Sequence, residues 1–429
     1  MEKIRAIKGT HDILPEEMFK WYHMEDTVRQ LCSRFGFEEI RFPVFEYTDL
    51  FARGVGDTTD VVQKEMYTFE DKGGRRMALR PEGTAGVVRS VLEHSLLTGV
   101  LPLKLFYLIT CYRNENPQAG RYREFHQFGT EVFGSSDPKI DAEVISLAVS
   151  LIRSVGLKHF SVHLNSIGCP TCRSQYNEAL KEFLRECKDA LCHTCQDRLE
   201  RNPMRVLDCK SPECQKLVEG APVLRDFLCE ECCEHFESLQ ETLRAMDIDF
   251  VLNDKIVRGL DYYTKTVFEI KSEHLGAQST ICGGGRYDGL VEQLGGKPTP
   301  AIGFAAGLER LLMCIEAEQA FLPQPQRPQL FVAYLGEEAN QFASKLIYQL
   351  RGEGISCQRD YMGRSLKAQM KYADKLSAEF TMVLGDDELE CGQAALRRMV
   401  DGQEFPVRLD AVAQQLKQIA QQTNVGGTK

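Results

Sequence analysis

A pair of strands joined by an arginine-rich loop is the feature of this sequence that most restricts its fold. Leu103–Cys111 is an apolar run with aromatic and β-branched residues, which is typical of a buried strand. The dipeptides Asn116-Pro117 and Ala119-Gly120 then break the chain into a loop. Beyond the loop, alternate residues share one face of a second strand; they are Phe125, Gln127, Gly129, Glu131 and Phe133. The stretch therefore predicts a hairpin within a sheet.

The polar residues of this hairpin predict a ligand site. Gln127 and Glu131 place an amide and a carboxylate on either side of Gly129, and a glycine within a strand often marks a close approach to the backbone. Arg113 ends the first strand and Arg121 flanks the loop. Guanidinium groups in this setting suit a ligand that carries phosphate on one part and an amine on another. A solvated amphipathic hairpin is the alternative interpretation.

These residues resemble a known family. Tyr112–Glu131 resembles motif 2 of the class II aminoacyl-tRNA synthetases, and its wording is similar to that of histidyl-tRNA synthetase. Arg80–Thr84 reads RPEGT, Arg258–Thr264 reads RGLDYYT and Gly283–Leu290 reads GGGRYDGL, and all three resemble signatures of that family. Ala301–Arg310, a strand of small residues followed by a helix, resembles class II motif 3. In isolation, Glu82 and Thr84 are better explained as helix caps.

The resemblance implies an α+β catalytic domain over residues 1–322, built on an antiparallel sheet flanked by helices. A helix, a strand over Phe37–Phe42 and Pro43 resemble motif 1, which in the family forms the interface of a homodimer. A proline-rich linker follows at residues 323–328. From 329 to 429 strands and helices alternate, which predicts a small α/β domain with a largely parallel sheet. Its position resembles the family's anticodon-binding domain.

A cysteine-rich helical insertion is predicted within the catalytic domain at residues 169–245. Cys169-x2-Cys172 and Cys192-x2-Cys195 have the spacing of a four-thiolate zinc site. Other cysteines compete as ligands, namely Cys209, Cys214, Cys229, Cys232 and Cys233. A structural Zn²⁺, distant from the chemistry, is one hypothesis, and two buried cysteine pairs are the other.

Composition restricts the cell compartment more than the function. The chain has 429 residues, enough for two or three domains, and a formal net charge of −10, which gives no electrostatic case for nucleic acid. The amino terminus lacks the apolar segment of a signal peptide, and no apolar run is long enough to span a membrane. We therefore expect a cytoplasmic protein whose sixteen cysteines are reduced or bind metal.

By resemblance, the reaction has two steps. Histidine and ATP form histidyl-adenylate and pyrophosphate, with Mg²⁺ on the phosphates, and the histidyl group then passes to the 3′ end of tRNA(His). The resemblance implies that Arg258 and Arg113 are catalytic, both acting at the α-phosphate. The implied ATP-binding residues are Arg113, Arg121, Phe125, Glu131 and Arg310. The implied histidine-binding residues are Glu82, Thr84, Gln127, Glu131, Arg258, Tyr262 and Tyr263.

Two other classes of protein fit part of this pattern. A catalytically inactive paralogue of the synthetase serves as a regulatory subunit of ATP phosphoribosyltransferase, and in such proteins the catalytic motifs decay and the last domain is absent. Here Arg113, Arg258 and Arg310 are present together with a complete last domain. A class II synthetase for another amino acid is disfavoured by the RGLDYYT motif. The sequence therefore favours an active histidine enzyme.

Overall fold

The computed structural model describes residues 3–56, 59–207, 209, 211–323 and 325–425. The chain divides into two compact units, Met1–Pro323 and Gln324–Lys429. Among the described residues, no helix is long and apolar enough to cross a membrane.

The first unit contains these strands in chain order: β1 Glu38–Glu39, β2 Phe45–Tyr47, β3 Thr68–Glu70, β4 Arg76–Leu79, β5 Leu103–Tyr112, β6 Glu124–Phe133, β7 Phe160–Ser166, β8 Val251–Leu252, β9 Thr264–Ser272, β10 Thr280–Arg286 and β11 Ala301–Gly307. Its α-helices are α1 Met18–Arg34, α2 Thr48–Val55, α3 Thr84–Glu93, α4 Pro138–Ser154, α5 Pro170–Arg185, α6 His193–Arg201, α7 Met204–Leu207, α8 Pro212–Leu217, α9 Glu230–Ala245, α10 Leu290–Gln293 and α11 Leu308–Ala317. Single turns of 3₁₀ or π helix lie at Val61–Glu65, Leu96–Thr98, Lys188–Ala190, Leu224–Phe227 and Glu273–Gln278.

An eight-stranded sheet organises this unit, in the order β1-β5-β6-β11-β10-β9-β7-β8. Its inner pairs are antiparallel, and the edge pairs β1–β5 and β7–β8 are parallel. The predicted hairpin is confirmed as β5–β6, with Tyr107 opposite Gly129. Strands β2, β4 and β3 form a separate small sheet. This arrangement is the expected class II fold, an antiparallel sheet flanked by helices.

Helices cover one face of the large sheet and form the main core. Helix α4 begins at Pro138, and the side chain of the preceding Asp137 accepts a hydrogen bond from the backbone N–H of Lys139 at 2.9 Å. Its apolar face packs with α1 and α9 against the sheet, because the buried residues of the three helices belong to one cluster. Helix α9 is thus part of the core of the first unit, although it falls within the range predicted for the insertion.

Two local elements of this unit differ from what the sequence indicates. The strand predicted over Phe37–Phe42 is present but shorter, Glu38–Glu39, because its parallel pairing with β5 spans two residues. The glycine run near Gly284 has the composition of a turn, but it lies inside β10. A Cβ at Gly284 would lie 2.2 Å from the carbonyl oxygen of Gly303 on β11, so the glycine allows the two strands to approach.

Eight of the ten cysteines of the insertion form two groups, each with its Sγ atoms within 4.8 Å of one another. One group is Cys169, Cys172, Cys229 and Cys232, and the other is Cys192, Cys195, Cys209 and Cys214. A single site made of Cys169, Cys172, Cys192 and Cys195 was therefore a wrong grouping. The sequence spacing identified each C-x2-C pair, but the fold brings each pair to later cysteines rather than to the other pair.

The second unit has strands β12 Leu330–Tyr334, β13 Cys357–Arg359, β14 Phe380–Leu384, β15 Gln393–Arg398 and β16 Glu404–Arg408. Its helices are α12 Glu337–Gly352, α13 Leu366–Lys375, α14 Asp386–Cys391 and α15 Val412–Val425. The sheet order is β13-β12-β14-β15-β16. The first three strands are parallel, as expected, whereas β15 and β16 add an antiparallel hairpin that the sequence interpretation missed.

A fully buried ion pair links the large sheet to α4. The guanidinium of Arg286 on β10 donates to both carboxylate oxygens of Asp141, and it also donates to the backbone carbonyl of Ser135 at 2.9 Å. The hydroxyl of Thr266 on β9 donates to the same carboxylate at 2.6 Å. Both charged side chains have no exposed surface. Their geometry leaves few unmet hydrogen-bonding groups, which is what a buried pair requires.

Replacing Arg286 by methionine should lower the free energy of unfolding by roughly 3–5 kcal/mol, because Asp141 would keep a buried charge without its partner. Urea unfolding of the full chain, followed at the transition of the first unit, measures this effect. Arg41→Met is the matched control, since the Arg41 side chain is 78% exposed, and its unfolding midpoint should stay at the wild-type value. An Arg286→Met protein as stable as the wild type would contradict this account.

Candidate active site

A cavity of about 910 Å³ lies on the face of the large sheet, a size suited to a ligand site. Its wall combines the β5–β6 hairpin, the start of α3, strands β9 to β11, the start of α11 and part of the insertion. The structure places most of the predicted site residues on this one wall: Glu82, Thr84, Arg113, Arg121, Phe125, Gln127, Arg258, Tyr262, Tyr263 and Arg310. Glu131 is the exception, because it lies behind the wall with 1% of its surface exposed.

The Glu82 carboxylate caps α3 and lines the cavity at once. Its oxygens accept hydrogen bonds from the backbone N–H groups of Thr84 at 2.7 Å and Ala85 at 2.9 Å. The capping interpretation is therefore confirmed for Glu82, whereas the Thr84 hydroxyl donates to Glu131 instead of capping the helix. Burial raises the pKa of Glu82, and the two N–H donors and nearby Arg113 act in the opposite direction. The cap holds this carboxylate rigidly at the cavity wall.

Three hydroxyl groups surround the carboxylate of Glu131. Its oxygens accept from the hydroxyls of Thr84 at 2.7 Å, Tyr107 at 3.0 Å and Tyr287. All three donors line the cavity, so Glu131 is one hydroxyl away from it. Burial raises the pKa of Glu131 to about 8, although the hydroxyls favour its charged form. The resemblance also assigns Tyr263 to histidine binding, but Tyr263 makes no hydrogen bond to Glu131 among the described residues.

Glycine residues make room for the Tyr107 ring. A Cβ at Gly129 would lie 2.2 Å from this ring, and a Cβ at Gly83 would lie 2.4 Å from it. The sequence interpretation expected a ligand to approach Gly129, but the group that approaches is a tyrosine from the neighbouring strand. The glycines thereby position a hydroxyl that donates to Glu131.

Arg258 is held in an unusual backbone conformation beside a carboxylate. Its φ is +58°, in the left-handed region that residues other than glycine seldom adopt. The guanidinium pairs with Glu269 on β9, whose other oxygen accepts from the Thr280 hydroxyl at 3.1 Å. The side chain lies directly over Gly283, where a Cβ would be 2.3 Å from Nη2 of Arg258. The buried Nε of Arg258 finds no hydrogen-bond partner in the described part of the chain, so this N–H is a candidate donor to a ligand.

The other arginines line a second part of the wall. Arg121 pairs with Glu115 at 2.9 Å, and the Arg113 guanidinium lies 5.4 Å from the ring centroid of Phe125. Arg310 donates to the backbone carbonyl oxygens of Gly120 and Thr280 and, within the described residues, to no carboxylate. The charge of Arg310 is therefore the least neutralised of the set. This part of the wall suits an anion.

Sequence reasoning missed three residues of this site. Tyr287 and Tyr107 hold Glu131, and Glu269 holds Arg258. Two signals were available: Tyr287 belongs to the GGGRYDGL motif, and Glu269 is a carboxylate among the apolar residues of β9. Tyr107 gave no signal, because it looks like an ordinary aromatic residue of a buried strand.

Comparison with known proteins agrees with this geometry. The family model described as "Histidyl-tRNA synthetase" matches residues 9–311, and the "Anticodon binding domain" model matches residues 329–419. A histidine–tRNA ligase from Acetivibrio thermocellus is 55% identical over 413 residues, which cover 96% of this chain and 99% of the relative. Another from Clostridioides difficile is 52% identical over 415 residues, with 96% and 99% covered.

The chain belongs to the histidyl-tRNA synthetase family.

A solved structure supports the same assignment. The apo crystal structure of S. aureus histidyl-tRNA synthetase is 39% identical, covers 97% of this chain and 100% of its own, and superposes with a TM-score of 0.84. As a member of this family the chain is an aminoacyl-tRNA ligase, and the resemblance seen in the sequence is confirmed. The full-length ligase relatives and the anticodon-binding match favour this assignment over the regulatory paralogue.

Replacing Gly283 by alanine should reduce histidine-dependent ATP–pyrophosphate exchange by at least about 100-fold, because the new methyl group displaces the Arg258 guanidinium. Gly289→Ala is the matched control in the same motif. A Cβ at Gly289 meets no atom closer than 4.0 Å, so the control should keep wild-type exchange. Equal activity of the two variants would show that the position of Arg258 does not matter.

Glu131→Gln should change how stability depends on pH. A folded-state pKa of about 8, above the unfolded value of about 4.5, means that the folded chain holds a proton that the unfolded chain loses between these values. The contribution of Glu131 to the free energy of unfolding therefore falls as pH rises through this window, by at most about 1.4 kcal/mol per unit. Glutamine does not titrate, so the free energy of unfolding of the variant should increase relative to that of the wild type as pH rises.

Urea unfolding of both proteins from about pH 5 to about pH 9 measures this gain. The difference between the two unfolding free energies should grow up to about pH 8 and then stay level. A difference that is constant over the whole range would mean that Glu131 titrates alike in the folded and unfolded chains.

Proposed function

We propose that the chain activates L-histidine with ATP and then transfers the histidyl group to the 3′ end of tRNA(His). In the first step a carboxylate oxygen of histidine attacks the α-phosphorus in line, and the bond to the pyrophosphate leaving group breaks. In the second step the 3′-hydroxyl attacks the histidyl carbonyl carbon and AMP leaves. The supporting observation is that phosphate-binding arginines and a capped carboxylate share one cavity wall.

The arginines bind and stabilise the phosphates. We assign Arg113 to the α-phosphate and Arg121 and Arg310 to the outer phosphates or the adenine side. Arg310 suits this role because its guanidinium is fixed by two backbone carbonyl oxygens and meets no carboxylate in the described chain. Phe125 offers an aromatic face beside Arg113 on which the adenine stacks. A fixed guanidinium stays charged and binds phosphate without reorganisation.

Arg258 lies where the two substrates meet. It would bind both the histidine carboxylate and the α-phosphate, and so hold the attacking oxygen and the phosphorus together. Glu269 keeps the guanidinium in place from the opposite side. Mg²⁺ would be held mainly by the phosphate oxygens of ATP and would neutralise part of their charge. Of the carboxylates that line the cavity, Glu115 already pairs with Arg121 and Glu269 with Arg258.

The amino-acid side of the cavity distinguishes histidine. Glu82, Thr84 and Gln127 would bind the α-ammonium group, for which a capped carboxylate is a strong partner. Tyr263 and Glu131 would bind the imidazole, with Glu131 acting through, or in place of, the hydroxyls that now donate to it. The Tyr262 ring, 4.7 Å from that of Tyr263, fixes the orientation of Tyr263. An apolar side chain would leave these polar groups unpaired, which penalises it strongly.

The partners follow from the family. We propose that residues 329–429 bind the anticodon arm of tRNA(His), that the protein is a cytoplasmic homodimer and that β1 with Pro43 lies at the dimer interface. We also propose that the catalytic domain covers residues 1–322, with the insertion at 169–245, and that residues 323–328 link it to the last domain. The structural Zn²⁺ predicted for the insertion takes part in neither chemical step.

Arg258→Ala should reduce histidine-dependent ATP–pyrophosphate exchange by at least about 100-fold and leave the fold intact, because it removes charge stabilisation at the reacting phosphorus. Lys297→Ala removes an exposed charge away from the cavity and serves as the control. Circular dichroism checks the fold of both variants. Wild-type exchange in Arg258→Ala would disprove the role.

Exchange measured with each of the other amino acids tests specificity. Histidine alone should support exchange in the wild type. Exchange with no amino acid, from a folded protein, would instead favour the regulatory paralogue and would leave the intact arginines to be explained by nucleotide binding.

A further inference from the structure

The two cysteine groups have the geometry of metal sites. We call Cys169, Cys172, Cys229 and Cys232 the base cluster, and Cys192, Cys195, Cys209 and Cys214 the wall cluster. Together they account for eight of the sixteen cysteines. Packing alone gives no reason for thiols to gather in two separate sets of four.

Sulfur–sulfur distances in both clusters fit four ligands around one metal ion. In the base cluster, Sγ of Cys169 lies 3.5 Å from that of Cys172 and 4.0 Å from that of Cys229. In the wall cluster, Sγ of Cys192 lies 3.9 Å from that of Cys209. A tetrahedral Zn²⁺ with Zn–S bonds of about 2.3 Å places its sulfurs about 3.8 Å apart. A disulfide would need about 2.05 Å, so these distances fit ligands around one ion and not bonded pairs.

Backbone N–H groups are aimed at the sulfurs. The N–H of Cys229 donates to Sγ of Cys172 at 3.1 Å, and the N–H of Cys192 donates to Sγ of Cys214 at 3.3 Å. In addition, the N–H of Ser211 donates to Sγ of Cys209 at 3.5 Å. Such donors stabilise thiolates, the form that binds metal. Backbone N–H groups therefore donate hydrogen bonds to sulfur atoms of both clusters.

Helix starts add to this stabilisation. Cys169, Cys192 and Cys229 each directly precede the first residue of a helix, namely α5, α6 and α9. The first turn of a helix carries unpaired N–H groups and a partial positive charge, which favour thiolate. Gly168, at φ +61°, lets the chain turn under the base cluster, because a Cβ there would lie 2.6 Å from Cβ of Cys172.

We propose that each cluster binds one structural Zn²⁺ through four thiolates. Four thiols release their protons to solvent as each ion binds, and no oxidant or reductant is needed. Four sulfur ligands in a tetrahedron favour zinc over the harder cations. The proposal rests on the cysteine geometry alone and not on the proposed reaction.

The base cluster joins the two ends of the insertion. Cys169 and Cys172 follow β7, whereas Cys229 and Cys232 open α9, which returns the chain to the core. The ion therefore closes a loop in which Cys172 and Cys229 are 57 positions apart. Arg173, next to Cys172, donates to the backbone carbonyl of Tyr263 at 3.2 Å. The base ion thus also steadies one wall of the cavity.

The wall cluster holds the part of the insertion that faces the cavity. Cys209 itself lines the cavity, together with Leu207, Gln215, Val218 and Glu219. The described residues of this segment form the short helices α7 and α8, which are too short to be stable in isolation. A metal ion at Cys209 and Cys214 supplies the missing rigidity. The sequence interpretation placed any metal distant from the chemistry, but this cluster reaches the cavity wall.

Metal analysis of the full chain, purified under reducing conditions without chelator, tests the proposal. Inductively coupled plasma mass spectrometry should find two zinc ions per chain. Cys172→Ser with Cys232→Ser, and separately Cys195→Ser with Cys214→Ser, should each halve the zinc content. Cys187→Ser and Cys233→Ser are matched controls and should keep both ions, since these thiols belong to neither cluster and donate to the backbone carbonyls of Leu184 and Leu228.

Three results would overturn the proposal: a folded wild type with little zinc, iron in place of zinc with visible absorption, or paired variants that keep both ions. If the paired variants fail to fold, Co²⁺ titration of the metal-stripped wild type decides instead. The thiolate-to-cobalt charge-transfer band should saturate at two equivalents. Absence of the band would show that the cysteines are free thiols.

Discussion

The buried pair of Arg286 and Asp141 is the interaction on which the catalytic sheet depends. It fixes β10 to α4, and the Thr266 hydroxyl of β9 donates to the same Asp141 carboxylate. Side chains alternate along a strand, so a residue held on one face fixes its neighbour on the other. Tyr287 directly follows Arg286 and therefore reaches Glu131 on the cavity side. A charge pair in the core thus sets the position of a hydroxyl in the site.

The cavity is organised before any substrate enters it. Arg258 is paired with Glu269 and Arg121 with Glu115, so each guanidinium is already held where a phosphate or carboxylate would meet it. The cost of ordering long side chains is then met during folding and not during binding. Arg310, held by backbone carbonyls, keeps its charge available to an incoming anion. These arginines are consequently positioned by contacts within the chain that need no bound substrate.

The sequence predicted what is local and missed what depends on distant contacts. The β5–β6 hairpin follows from periodicity and turn residues within one stretch, and most of the candidate residues meet because their motifs end at the same sheet face. By contrast, the grouping of the cysteines depends on how a long insertion folds back, which spacing does not reveal. Gly129 makes room for the Tyr107 ring of the neighbouring strand, and Gly283 makes room for the Arg258 guanidinium of another segment. Such pairs become visible only when the register is known.

The contact between Gly283 and Arg258 has a consequence for comparing distant relatives. Any side chain at position 283 would occupy the space of the Arg258 guanidinium. The two positions therefore constrain each other, although they are 25 positions apart in the chain. A relative that keeps the arginine but replaces this glycine would have the same residue at position 258 with its guanidinium displaced. If Arg258 has the role proposed above, joint retention of the two residues is a sharper sign of ligase activity than either residue alone.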